Sequence, residues 1–99
     1  VGKSIRNWRE RDLESMSCEA FIEGSSVGTG GAFRLSGGPV RSVQFMLQLA
    51  AGRGRPLRSG DVIATGQTTG IHEIAPGELA RIVFDGDGEV RCKVVAATA

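Results

Sequence analysis

Leu79-Ala80-Arg81-Ile82-Val83-Phe84-Asp85-Gly86-Asp87-Gly88-Glu89-Val90-Arg91-Cys92-Lys93-Val94-Val95 sets two apolar runs around a small acidic turn. Asp-Gly between alternating apolar runs is among the strongest local hairpin signals, so residues 79–84 and 89–95 are expected to pair as antiparallel strands. A calcium loop is the rival reading of Asp85-Gly86-Asp87-Gly88. It would need Gly at its sixth place and a bidentate Glu at its twelfth, where counting from Asp85 gives Val90 and Ala96. The turn reading therefore stands.

Working back towards the N-terminus, Ala75-Pro76-Gly77-Glu78 turns the chain into this hairpin, and residues 71–74 are expected to pair briefly before it. The apolar run Val62-Ile63-Ala64-Thr65 reads as a short buried strand. It follows the turn-rich loop Arg53-Gly54-Arg55-Pro56-Leu57-Arg58-Ser59-Gly60-Asp61 and leads into Gly66-Gln67-Thr68-Thr69-Gly70, which has the composition of a loop with backbone open to a ligand. Residues 39–51 predict the main helix. Pro39 suits a first helical position, Gly38 an N-cap and Gly52 a left-handed C-terminal residue. Val40, Val43, Met46, Leu47 and Ala50 recur at steps of three and four and give one apolar face, widened by Phe45 and Leu49. On that face Leu47→Asp is expected to destabilise far more than Arg41→Asp.

Further back, Cys18-Glu19-Ala20-Phe21-Ile22 reads as a strand, Glu23-Gly24-Ser25-Ser26 as a turn, and Val27 as the start of a second arm. Gly28, Gly30 and Gly31 in that arm predict a bulge or a close backbone approach. Residues 1–16 are charged and aperiodic, with Arg6, Arg9 and Arg11 interleaved with Glu10, Asp12 and Glu14, and read as a solvated connector to one domain at 17–99. The chain is expected to be α+β, a mostly antiparallel sheet with one amphipathic helix.

The composition narrows function more by exclusion than by assignment. Ninety-nine residues with 12 basic and 11 acidic side chains, net +1, build no strong field for nucleic acid or an anionic membrane. No apolar stretch approaches the roughly 18 residues that span a bilayer, and a soluble, cytoplasmic chain is expected. Two cysteines, Cys18 and Cys92, and one histidine are too few for a zinc site, and buried free thiols are expected. Gly28-Thr29-Gly30-Gly31 lacks both the spacing and the Lys-Ser/Thr end of a phosphate loop. None of the serines sits in a nucleophile elbow. His72 is the one side chain poised to titrate near neutrality, with Glu73 beside it, but an exposed loop histidine outweighs a general base. The cluster Arg53, Arg55 and Arg58 could grip a carboxylate and more simply forms a solvated loop.

One ordered string goes further: Gly37-Gly38-Pro39-Val40, a helix ending Leu49-Ala50-Ala51, then the run from Gly54 through Pro56-Leu57 and Ser59-Gly60-Asp61-Val62-Ile63-Ala64-Thr65-Gly66, then Ala75-Pro76-Gly77-Glu78 and Phe84-Asp85-Gly86-Asp87-Gly88. In its order it resembles the C-terminal half of the 2-keto-4-pentenoate hydratases and their 2-oxo acid decarboxylase relatives, in the fumarylacetoacetate hydrolase superfamily. The likeness covers about residues 21–95, and Val1-Gly2-Lys3-Ser4-Ile5-Arg6-Asn7-Trp8 resembles a further family segment. After Trp8 a stretch of the family core is expected to be missing.

The resemblance implies a mixed β-roll of the fumarylacetoacetase C-terminal kind, and a divalent cation, Mg²⁺ or Mn²⁺, that chelates the substrate's carboxylate and 2-oxo oxygens and stabilises enolate charge. The family's acidic ligands match no position here, so no metal-binding residue is assigned, and this chain is expected to be a partial domain. Thr65, Gly66 and Gln67 correspond to the family's substrate-facing turn, with Gln67 in place of the usual small residue. The implied reaction is hydration of a 2-hydroxy-2,4-dienoate in aromatic-compound breakdown, with decarboxylation of a 2-oxo diacid or hydrolysis of an acylpyruvate as alternatives. A small 2-oxo or 2-hydroxydienoate acid and a second copy of the chain are the expected partners. The alternative of another class is a non-catalytic β-rich interaction module.

Overall fold

Four strands form one sheet in the order β2-β1-β3-β4, with every neighbouring pair antiparallel. The computed structural model describes residues 1–98. In chain order the elements are a single 3₁₀ turn at Leu13–Ser15, β1 (Ser17–Ile22), β2 (Ser25–Gly31), a 3₁₀ turn at Ala32–Arg34, helix α1 (Gly38–Gly52), β3 (Leu79–Phe84) and β4 (Gly88–Lys93). The α+β class is as expected.

The turns follow local chemistry. Glu23 and Gly24 connect β1 to β2 with φ of 49° and 80°, the left-handed pair that a two-residue hairpin loop requires. The non-glycine Glu23 is held there by Leu79, whose N–H donates to Oε1 at 2.8 Å and whose carbonyl accepts the Glu23 N–H at 2.9 Å. The hairpin from β3 to β4 closes on a bond from the Asp87 N–H to the Phe84 carbonyl. The helix ends one turn position later than the pattern suggests. Gly52 stays helical and Gly54 takes the left-handed φ of 75°, while the Gly54 and Arg55 N–H groups bond the carbonyls of Ala51 and Ala50. That pair of bonds is a Schellman closure.

Period-two alternation gives the sheet two unlike faces. The register places Cys18, Ala20 and Ile22 of β1 opposite Phe84, Ile82 and Ala80 of β3, with Val90 of β4 beyond Ile82. The reverse face carries Glu19, Arg81, Glu89 and Arg91, where Arg81 and Arg91 both pair with Glu89 and the Arg81 guanidinium lies 4.7 Å from the Phe21 ring centre. The bulge expected among the β2 glycines is present: Ala20 faces Gly28 and Phe21 faces Ser26, leaving Val27 as the extra residue.

Several expectations fail. Residues 62–65 form no strand and are not buried; Val62 is 85% exposed, and the run has no ladder partner. Residues 71–74 likewise form no strand, and Ile71 lies open. The thiols are free, but Cys92 is exposed and Cys18 half-buried, and β3 separates their strands. The apolar stripe of α1 is largely uncovered: only Ala50 of that stripe is buried, while Val40, Phe45, Met46 and Leu47 are exposed. The contrast drawn between Leu47→Asp and Arg41→Asp therefore loses its basis. Residues 1–16 are not simply solvated either, because they are tied to the far end of the sheet through Asp87. With a Cα radius of gyration of 15.7 Å against about 13 Å for a compact chain of this length, the molecule is a plate, 41 × 40 × 21 Å.

Candidate functional site

Above the apolar face of the sheet lies an open cleft of about 770 Å³. Its floor is Cys18, Ile82 and Phe84 of the central strands; one wall is the N-terminal segment with Trp8 and Arg9; the other is the loop carrying Thr65, Gly66 and Gln67. The volume falls within the range usual for small-molecule sites, and the lining is apolar with a few polar groups, as such sites generally are.

The loop wall owes its position to the β2 glycines. A Cβ on Gly28 would overlap the Thr69 carbonyl oxygen, and one on Gly30 would overlap the Thr68 carbonyl group. Residues 68 and 69 therefore cross β2 in backbone contact, at a height that only glycine on that face permits. Thr68 fixes the crossing: its Oγ1 accepts the Gly31 N–H at 3.2 Å and lies 3.8 Å from the Cys18 Sγ. Gln67 closes the turn, its Oε1 accepting the Gly70 N–H at 2.7 Å.

The opposite wall is held by a buried carboxylate. Asp87, 9% exposed, accepts the Arg6 backbone N–H on Oδ1 at 3.2 Å and the Arg11 Nη1 on Oδ2 at 2.7 Å. Arg11 continues the clasp, donating to the carbonyls of Arg6 and Ser15 and to Ser15 Oγ. The Arg11 hydrogen bond, then the Arg6 N–H, hold the Asp87 carboxyl below its ordinary range against the opposing effect of desolvation. Trp8 and Arg9, between the two tethered arginines, line the cleft, with the Arg9 guanidinium 4.5 Å from the centre of the Trp8 ring.

Other candidates lie elsewhere. His72 is exposed, and its Nε2 bonds the Thr69 carbonyl at 2.7 Å rather than Glu73 or any carboxylate. Arg53, Arg55 and Arg58 are exposed, and the Arg58 N–H is bound by Asp61 at 2.8 Å within its own turn. Trp8, Arg9, Cys18 and Phe84 line the cleft although the sequence assigns none of them to a site. Strand alternation would have found Cys18 and Phe84 beside Ile82; nothing local in residues 1–16 points to the clasp.

Among the described residues no three of His, Cys, Asp and Glu converge where they could hold a metal ion. The described residues do not fit the cation that the resemblance implies. Calorimetric titration of this chain with Mg²⁺ should give only weak, non-stoichiometric heats, and a one-to-one micromolar site would overturn that. Among the described residues no helix is long and apolar enough to cross a membrane.

No family model matches the chain. It is 29% identical over 95 residues to the 4-oxalocrotonate decarboxylase of Pseudomonas putida, across 96% of this chain and 36% of that protein. Its fold superposes on the solved structure of 4-oxalocrotonate decarboxylase from Pseudomonas putida G7, complexed with calcium and acetate, with a TM-score of 0.82 at 28% identity. That superposition takes in 95% of this chain and 36% of the other, so the chain spans little more than a third of the length of the relative it matches. Sequence and fold alike place the likeness on a 4-oxalocrotonate decarboxylase, a protein whose solved structure is complexed with calcium.

Proposed function

We propose that this chain forms the substrate-enclosing part of a lyase that removes CO₂ from a small 2-oxo diacid, with a divalent cation, Mg²⁺ or Mn²⁺, held by residues outside these 99. The observation that carries the reading is the match, in both sequence and fold, to a 4-oxalocrotonate decarboxylase. It favours decarboxylation over the hydration expected first. The homo-oligomer also remains part of this reading, supported by β2 and β4 as unpaired sheet edges.

The chain's own contribution is enclosure and orientation. Ile82, Phe84 and Trp8 line the cleft with apolar surface, which lowers the local dielectric and strengthens every polar contact made inside it. Against that background Thr65 offers a hydroxyl, Gly66 a backbone N–H with no side chain to obstruct approach, and Gln67 the free amide N–H₂ of a side chain whose oxygen is already engaged. These three are the groups assigned to bind the substrate.

The test is an assay of the gene product containing these residues, supplied with Mg²⁺ or Mn²⁺ and offered 4-oxalocrotonate or 2-hydroxypenta-2,4-dienoate. Release of CO₂ from the first is expected, and Thr65→Val should lower kcat/KM about tenfold, the effect of losing one hydrogen bond to a charged substrate group. Water addition to the dienoate without CO₂ release would make the protein a hydratase. Neither activity would leave the non-catalytic module.

A further inference from the structure

We infer that Arg9 is the specificity group of this cleft, gripping the second carboxylate of a diacid and so separating diacids from monoacids of the same carbon skeleton. The inference rests on the reading of the cleft as an acid-binding site. It adds a residue, the one that tells the diacid of that reading from a monoacid, which the family likeness does not supply.

Two cations line the cleft, Arg9 and Arg11, and no Asp or Glu does. Arg11 is spent: its guanidinium nitrogens donate to Asp87, to the Ser15 hydroxyl and carbonyl, and to the Arg6 carbonyl, and its charge is matched by Asp87 at 2.7 Å. Arg9 is in the opposite condition. Among the described residues it enters no ion pair and no hydrogen bond, so all five N–H donors of its fork are open. Its guanidinium is instead laid over the Trp8 ring at 4.5 Å, which orients the fork without occupying it. A planar, oriented and unpaired guanidinium beside an apolar cleft is suited to one ligand chemistry above others: a carboxylate taken bidentately. The floor of Phe84 and Ile82 suits the flat, unsaturated chain that would carry that carboxylate.

The test compares two six-carbon conjugated acids that differ only at the far end, the diacid trans,trans-muconate and the monoacid sorbate. Neither has a 2-oxo group to decarboxylate. Trp8 is the only tryptophan, so its single indole N–H resonance reports directly on the cation it supports. In the 99-residue chain at low salt, muconate should bind about tenfold more tightly than sorbate, the discrimination of one charge-assisted contact at a partly exposed site. Arg9→Ala should erase that ratio by weakening muconate alone, Arg9→Lys should restore part of it, and Arg41→Ala should leave it unchanged. Equal affinity for the two acids in the wild-type chain, or an Arg9→Ala loss shared equally by both, overturns the assignment while leaving the cleft an acid site. Absence of binding by either acid overturns this inference, while the decarboxylase reading, whose cation lies outside these residues, is decided separately by the CO₂ assay.

Discussion

Gly30→Ala is expected to be among the most damaging single-methyl additions in the chain. The added Cβ would fall on the carbonyl carbon and oxygen of Thr68, with the Thr68 Oγ1 2.7 Å away. Two of those three atoms are backbone, so no rotamer change relieves the overlap, and the 68–69 crossing must lift off the sheet. Overpacking of this kind costs about 1–3 kcal/mol even where side chains can give way, and in a domain this long each kcal/mol moves Tm by roughly 4–8 °C. A lifted crossing also releases Thr68 from the Gly31 N–H and carries Thr65 to Gln67 out of the cleft wall. Gly52→Ala is the matched control: it has open space around its Cβ and no left-handed φ, so it should be neutral or slightly stabilising inside the helix. Paired thermal melts decide the matter, and a Gly30→Ala chain melting with the wild type would show that the loop does not press on β2.

The same crossing marks how far the sequence could be read. Alternation located β1, β3 and β4 because each strand's face is written in neighbouring residues, and Gly28 and Gly30 announced a close approach by lacking side chains. What approached could not be read, since Thr68 and Thr69 are small and polar whether they touch a sheet or only water. The run at 62–65 went wrong for a related reason. Four apolar residues look the same in a strand and in an extended surface segment, and only a ladder partner distinguishes them. The stripe on α1 shows the limit from the other side: periodicity tells which side of a helix is apolar, not whether any segment lies against it, and Phe45, Met46 and Leu47 stay open. As for the cleft, Thr65 to Gln67 came from a family likeness, whereas Trp8 and Arg9 reach it through a contact spanning 76 residues, Arg11 to Asp87. No local pattern encodes such a pairing. An Asp in a hairpin turn has the same signature whether it faces solvent or holds two arginines.

That pairing carries the second large prediction, that Asp87→Ala frees the N-terminal wall of the cleft. The substitution removes the acceptor of both the Arg6 N–H and the Arg11 guanidinium and leaves Arg11 partly buried without its counter-charge. Residues 1–11 should then detach, with Trp8 emission moving to the red and acrylamide quenching rising. Tm should fall by roughly 4–8 °C, since the sheet itself is unaltered. Asp85→Ala, two residues away and outside the clasp, should do neither. The wild type has a pH signature with a definite sign. The Asp87 carboxyl is held below its ordinary range, so its contribution is complete above the unfolded value of about 3.9 and is lost as pH falls through the lower folded value. Trp8 emission should therefore be flat from about pH 8 to 5 and shift only below the ordinary carboxylate range, a shift that Asp87→Ala abolishes because its wall is already open. A wild-type transition near neutrality would show that the Asp87 clasp does not hold the wall. The dissection then extends to ligand. If the clasp serves only stability, muconate affinity measured below the melting range should be indifferent to Asp87→Ala. If it presents Arg9, the diacid preference should vanish together with the emission of the docked Trp8.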